Sequence, residues 1–259
     1  MKLTIDVENT VTKRDGKMHL DPFEPDNSLT MVGMLDDTGR EHLIYFDHND
    51  VEATPFGHGV VQNELNKATV LICHNAAYDL LWLWESGFTY DGPVFDTMLA
   101  EYVLQRGQKE PLSLEACAER YNLDTKKQDT LKEYFKKGYS TRDIPHDELA
   151  EYLSADLHAT QQLSDKLVYR LNTEADAMLM PTVTLTNEVA VCLARIYQRG
   201  FKVDLDVLDT VRQEFEQEKR QLIDSLNVHV RKLMGDTPIN LNSPEQLSWV
   251  IYGRRVLDK

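Results

Sequence analysis

Asp6 and Glu8 stand two residues apart in a short, mostly apolar stretch, Leu3-Thr4-Ile5-Asp6-Val7-Glu8. In an extended strand that spacing sends both carboxylates out of one face. Two hard anionic donors side by side suit an oxygen-seeking divalent cation. In a chain with 43 acidic residues such a pair also arises by chance, as exposed strand acids. Its setting in an apolar strand, where isolated charge is costly, gives it weight. A second cluster, His74-Asn75-Ala76-Ala77-Tyr78-Asp79, follows an apolar run and enters a helical pattern. Taken alone, Asn75 caps that helix and Asp79 is a first-turn acid that favours its dipole. A third pair, Tyr152 and Asp156, is four residues apart and therefore stacked on one helix face. By itself it describes an amphipathic helix with a tyrosine at the core rim.

The elements that must position these residues alternate strand and helix in the first half. Leu3–Glu8, Leu29–Leu35 and His42–Phe46 read as strands, and Asp36-Asp37-Thr38-Gly39 joins the last two as a hairpin turn. Residues 11–28, with Gly16, Pro22 and Pro25, read as a loop. A short helix over Gly59–Lys67 precedes a buried strand, Thr69–His74, and a helix over Ala76–Ser86 with Leu80, Leu81, Leu83 and Trp84 inward. From Pro111 the pattern is helical. Pro145 suits a first turn, with Asp143 as a cap, and that helix carries Tyr152 and Asp156. The chain is expected to divide into residues 1–172 and a helical segment, 173–259. In the latter, Gly200 ends one helix, Asp204 caps a long one, and Ser243 starts another.

Composition narrows the function classes. The 259 residues are 42% hydrophobic and 27% charged, enough for a packed core. The net charge is -15, which argues against nonspecific coating of nucleic acid. Residues 174–259 hold 11 basic and 13 acidic side chains, so most of the excess negative charge lies in residues 1–173. No apolar run approaches the ~20 residues of a membrane helix, and the first residues show no signal-peptide pattern. Cys73, Cys117 and Cys192 lie far apart and read as buried thiols of a reduced, cytoplasmic protein.

Taken in order, Asp-x-Glu on the first strand, Asn-x-x-Tyr-Asp at a strand-to-helix junction and Tyr-x-x-x-Asp on a late helix resemble the 3′–5′ proofreading exonuclease superfamily with four acidic residues, in its tyrosine-bearing branch. Further on, Ala194-Arg195-Ile196-Tyr197-Gln198-Arg199-Gly200-Phe201-Lys202-Val203-Asp204 resembles the segment leading from that domain into the thumb of family A DNA polymerases. Asn240-Leu241-Asn242-Ser243-Pro244-Glu245-Gln246-Leu247 is similar to a thumb motif of the same family, whose members are bacterial and phage. Two departures stand out. Asn9, followed by Thr10, occupies a position where members often carry threonine, and Glu151 stands where the histidine-bearing branch has histidine.

The resemblance implies an α/β fold: a ribonuclease H-like mixed sheet flanked by helices, then a helical thumb-like extension. It implies metal-dependent 3′–5′ exonuclease activity on single-stranded or frayed DNA 3′ ends, with no polymerase activity in this stretch alone. Asp6, Glu8 and Asp156 would hold one Mg²⁺ or Mn²⁺, and Asp6, supported by Asp79, would bridge to a second ion. Tyr152 would orient the attacking water. Asn75, Tyr78 and Thr10 are the expected nucleic-acid contacts. Lys126, Lys127, Lys132, Lys136 and Lys137 are weaker candidates, as are Arg195, Arg199, Lys202, Arg212, Lys219 and Arg220 for duplex. Partners would be a DNA 3′ end or primer–template and a separate polymerase subunit, in the cytoplasm, that of the host if the chain is phage-encoded. Two alternatives stand beside this: a ribonuclease D-like RNA exonuclease, and an inactive DNA-binding scaffold. Retention of all four acids and the tyrosine weighs against the scaffold.

Overall fold

The computed structural model describes residues 1–123, 129–173 and 177–253. A five-stranded mixed sheet organises the first part. Its strands are β1 (Lys2–Asn9), β4 (Leu29–Asp36), β5 (Glu41–Tyr45), β6 (Val70–Cys73) and β7 (Val94–Asp96), in the order β5-β4-β1-β6-β7. β4 is antiparallel to β1 and β5, whereas β1, β6 and β7 run parallel. This is the expected ribonuclease H-like arrangement, with β1 at its centre. The strand alternation explains why. Leu3, Ile5 and Val7 are buried on one face against Val32 and Met34, while Asp6 and Glu8 leave the other face opposite Gly33 and Met31.

Helices cover both faces. On the Leu3–Val7 face, α1 (Gly57–Lys67) supplies Val61 and Leu65, and α2 (Ala76–Glu85) supplies Leu80 and Leu83. On the acidic face, α6 (His146–Thr173) packs Leu149 and Leu153 against Met31. Gly33 makes that approach possible: a Cβ there would stand 2.8 Å from both Leu153 Cγ and Leu157 Cδ1. A third apolar cluster joins α3 (Thr97–Leu104) and α4 (Leu114–Tyr121) to the distal half of α6 through Ala100, Leu104, Cys117, Leu163 and Leu167.

Several local readings are corrected. Residues 11–28 are not only loop: β2 (Thr12–Arg14) and β3 (Lys17–His19) form a two-stranded hairpin across Asp15 and Gly16, both at positive φ. Asp143 does not cap α6. It closes a reciprocal capping box with Ser140 around a 3₁₀ turn, Thr141–Asp143. Cys73 and Cys117 are buried, but Cys192 is exposed on α7 (Met180–Arg199), whose other side packs Val191 and Ala194 into the main core.

The compact units divide at Gly200/Phe201, because α7 lies along α2. Arg195 fastens that contact. Its guanidinium sits 3.5 Å over the Trp84 ring and pairs with Asp91 at 2.7 Å. The second unit contains α8 (Leu205–Met234), capped by Asp204 through the amides of Asp206 and Val207, and α9 (Pro244–Tyr252), capped by Ser243. No helix among the described residues is long and apolar enough to cross a membrane.

Candidate active site

Asp6 and Glu8 are half-buried on the face of β1 that α6 covers. The Val7 amide donates to Asp6 Oδ1 at 3.1 Å, which fixes one carboxylate oxygen. The β1–β4 register shifts between Glu8 and Asn9. That bulge ends the regular strand just past the two acids and turns Asn9 into the interior. There the Asn9 side-chain amide donates to the Thr10 carbonyl, its Oδ1 accepts the Tyr78 hydroxyl at 2.6 Å, and its backbone carbonyl accepts Thr141 Oγ1 at 2.6 Å. One residue therefore ties β1 to α2 and to the 3₁₀ turn that precedes α6.

Asp79 arrives from the first turn of α2, buried close to Asp6, Cys73 and Asp96. The helix start is built differently from the sequence expectation. Asn75 occupies the N-cap position at φ 77°, a left-handed conformation asparagine tolerates, and makes no side-chain cap bond. The capping is done from β7. Asp96, 1% exposed, accepts the amides of Asn75 at 3.1 Å and Ala76 at 2.8 Å, together with Met98 at 2.9 Å and Leu99 at 3.2 Å at the start of its own helix α3. One carboxylate thus caps two helices. Sequence reasoning passed over Asp96, although an Asp-Thr pair just ahead of Met98, Leu99 and Ala100 is a helix-start signal.

Tyr152 and Asp156 occupy successive turns of α6, near enough that the phenol favours the charged form of the carboxylate. Electrostatics ties the acids from three elements together. Burial and the neighbouring Asp156 push Asp6 up to about 7. Burial, then Asp6 and Asp156, push Glu8 well upward. Burial, then Asp6 and Asp96, do the same to Asp79. Burial raises Asp156 to about 6, against the effect of the Tyr152 phenol and with help from Glu115 on α4. The Tyr152 phenol is pushed far up by burial and the acids around it, so it stays protonated. Among the described residues, no three His, Cys, Asp or Glu side chains stand close enough to hold a metal ion as they lie. The carboxylates face one another at the range where charges repel. The donor set, four hard oxygen ligands at a cost in mutual repulsion, fits divalent cations.

The expected nucleic-acid contacts fare differently. Thr10 is buried, and its hydroxyl accepts the Ser28 amide at 2.7 Å, so it faces the protein. Tyr78 is half-buried, its hydroxyl committed to Asn9. Asn75 is exposed at the junction. Lys126, Lys127 and the side chain of Lys132 lie outside the described residues, while Lys136 and Lys137 are exposed. Arg195 is engaged with Trp84 and Asp91, and Arg212 and Arg220 pair along α8 with Asp209 and Glu216.

The sequence model of a 3′–5′ exonuclease family matches residues 38–172. The match contains Asp79, Tyr152 and Asp156 but begins after β1, so Asp6 and Glu8 join the set through the sheet. DNA polymerase I of Synechocystis sp. is 28% identical over 188 residues, 73% of this chain and 18% of that protein. DNA polymerase I of Bacillus subtilis is 28% identical over 193 residues, 74% and 20%. The chain thus spans about a fifth of the curated relatives it matches. In fold it is similar to the polymerase domain of M. smegmatis Pol1 in complex with primer-template and dNTP (TM-score 0.65, 20% identity, 96% of this chain, 37% of that one). It is also similar to Brucella melitensis NrnC, at 20% identity over 78% of this chain and 88% of that one. NrnC is seen with bound Mg²⁺ (TM-score 0.54) and bound to pGG (TM-score 0.56).

Proposed function

The chain belongs to this 3′–5′ exonuclease family, and on that premise we propose that it removes nucleotides from single-stranded or frayed DNA 3′ ends, as the proofreading part of a family A DNA polymerase. One observation carries the reading. Carboxylates from β1, α2 and α6, with the Tyr152 phenol among them, raise one another's proton affinity in a half-buried cleft. Such repulsion is retained where a cation-dependent site needs it.

Asp6, Glu8, Asp79 and Asp156 would hold two divalent cations, Mg²⁺ or Mn²⁺. When bound, such ions neutralise the scissile phosphate, activate water and stabilise the leaving 3′ oxygen. The chain's own residues do the positioning. Asp6 projects from the central strand near both Asp79 and Asp156, so it would be the ligand shared between the ions. Tyr152, kept protonated beside Asp156, orients the attacking water by its hydroxyl and does not act as a base. Asn75, exposed at the α2 start, contacts the terminal nucleotide, and Tyr78 lines the pocket with its ring edge anchored by Asn9. The described residues bring together this one set of facing carboxylates, and the chain shortens primers without lengthening them.

The likeness to NrnC, seen bound to pGG, supports a second reading in which short RNA is the substrate. Incubation with 5′-labelled single-stranded DNA and matched RNA, in Mg²⁺, Mn²⁺ or EDTA, separates the two. The expected result is stepwise 3′ shortening of DNA that needs metal and vanishes in Asp6→Asn. Preferential shortening of RNA selects the second reading, and no shortening of either overturns both.

A further inference from the structure

The β2–β3 hairpin follows directly on the strand that carries Asp6 and Glu8. Lys13 is five residues beyond Glu8, so their Cα atoms are at most ~18 Å apart. The hairpin is built to be rigid. Asp15 and Gly16 both adopt positive φ, 51° and 76°, the geometry of a two-residue hairpin turn whose twist matches the strands. Thr12 pairs with His19, Lys13 with Met18, and Arg14 with Lys17.

An isolated hairpin of this size is marginal in water, and this one is anchored along its base. Thr12 Oγ1 donates to Asn27 Oδ1 at 2.8 Å, and Asn27 Nδ2 donates to the carbonyls of His19 and Asp21. Arg14 is paired with the buried Glu24. The Tyr78 hydroxyl also reaches the Leu20 carbonyl at 3.3 Å, which ties the hairpin to the helix bearing Asp79. The Thr12/Arg14 side is therefore occupied, and the opposite side is not. On that side Lys13 and its cross-strand neighbour Met18 are exposed; Lys17, which shares the Arg14 face, is exposed at the turn, and Leu20 at the exit. Neither lysine pairs with an acid among the described residues. In a chain of net charge -15, residues 12–19 carry three cations against one acid. Met18 and Leu20, 58% and 51% exposed, add apolar surface beside that charge.

Phosphates flanked by bases present the complementary chemistry: regularly spaced anions beside flat apolar faces. We propose that the β2–β3 hairpin is a clamp for the single strand entering the site. Lys13 and Lys17 neutralise backbone phosphates a few nucleotides from the terminus, and Met18 and Leu20 lie against its bases. The proposal rests on the nuclease reading only for the direction of the strand.

Binding of a labelled 16-nucleotide oligothymidylate, measured by anisotropy in EDTA across a KCl series, tests it. Lys13→Ala/Lys17→Ala should reduce the slope of log K against log[KCl] by ~1.4, and weaken binding on the order of 10–100-fold at low salt. Lys2→Ala/Arg40→Ala removes the same charge at the opposite end of β1 and should leave the slope unchanged. In Mg²⁺, the same hairpin variant should lose kcat/KM on the 16-mer and keep it on a dinucleotide too short to reach the hairpin. An unchanged slope, an equal loss in the control variant, or an equal loss on the dinucleotide overturns the clamp. Hydrolysis of neither substrate would sink the nuclease reading, while the binding series still decides the hairpin.

Discussion

Asp6 concentrates the electrostatics of the site, and its proton affinity has a measurable consequence. Carboxylates in an unfolded chain titrate near ~4, whereas folded Asp6 is pushed to about 7 and Asp156 to about 6. Between those values the metal-free folded protein holds more protons than the unfolded chain. The stability from these groups is therefore fully present below the unfolded value and is lost as pH rises through the folded ones. In EDTA the thermal midpoint should fall between about pH 5 and pH 7.5, and Asp6→Asn should flatten that fall. A midpoint rising across this window contradicts the repulsion. Tyr152→Phe removes one hydroxyl and no charge. It should slow single-turnover hydrolysis on the order of 10²-fold while leaving the metal concentration for half-maximal rate nearly unchanged. An unaltered rate returns Tyr152 to a packing role.

At the scale of elements, α6 can present Tyr152 and Asp156 to β1 only because Gly33 leaves room for Leu153 and Leu157. Gly33→Ala should destabilise the fold by ~1–3 kcal/mol through overpacking and cut activity as the helix shifts. Leu153→Ala beside it restores space and should recover rate. Recovery of neither stability nor rate would show that the close approach is not what Gly33 provides. The three motifs were legible because each sits on an element with strong periodicity: an alternating strand, a buried strand entering a helix, and a 28-residue helix. β7 and α3 were not. Three strand residues after Asp91-Gly92-Pro93 carry too little pattern to read, so Asp96 went unnoticed. The β2–β3 turn did carry a signal in Asp15-Gly16, masked by the polar, proline-containing residues around it. That the Thr10 and Tyr78 hydroxyls are already bonded was not legible for another reason: it depends on Ser28 and Asn9, whose placement is tertiary.

For the molecule as a whole, the position of α7 decides what constitutes the first unit. The helical segment was expected from residue 173, and composition does not reveal that Arg195 within it would stack on Trp84. A fragment of residues 1–200 should unfold cooperatively. A fragment of residues 1–172 exposes the side of α2 that α7 covers and should melt several degrees lower, since ~1 kcal/mol shifts a unit of this size by about 2–4 °C. Equal midpoints would mean that α7 adds nothing to the unit. On α8, Leu208, Phe215 and Leu226 are exposed although their spacing marks one apolar face. Periodicity predicted the helix and could not say what the face meets.

Asp96 links distant parts of the chain in a way that time-resolved labelling can register. Its carboxylate holds amides at residues 75, 76, 98 and 99, at the starts of the two helices on either side of β7 in sequence. Opening either junction strands a buried anion, so the two should open as one. Deuterium uptake at these four amides should follow a common opening free energy, in the manner of a single cooperative unit. Asp96→Asn, with a weaker neutral acceptor, should speed all four together. Independent exchange at 75–76 and 98–99 would show two separate locks instead of one.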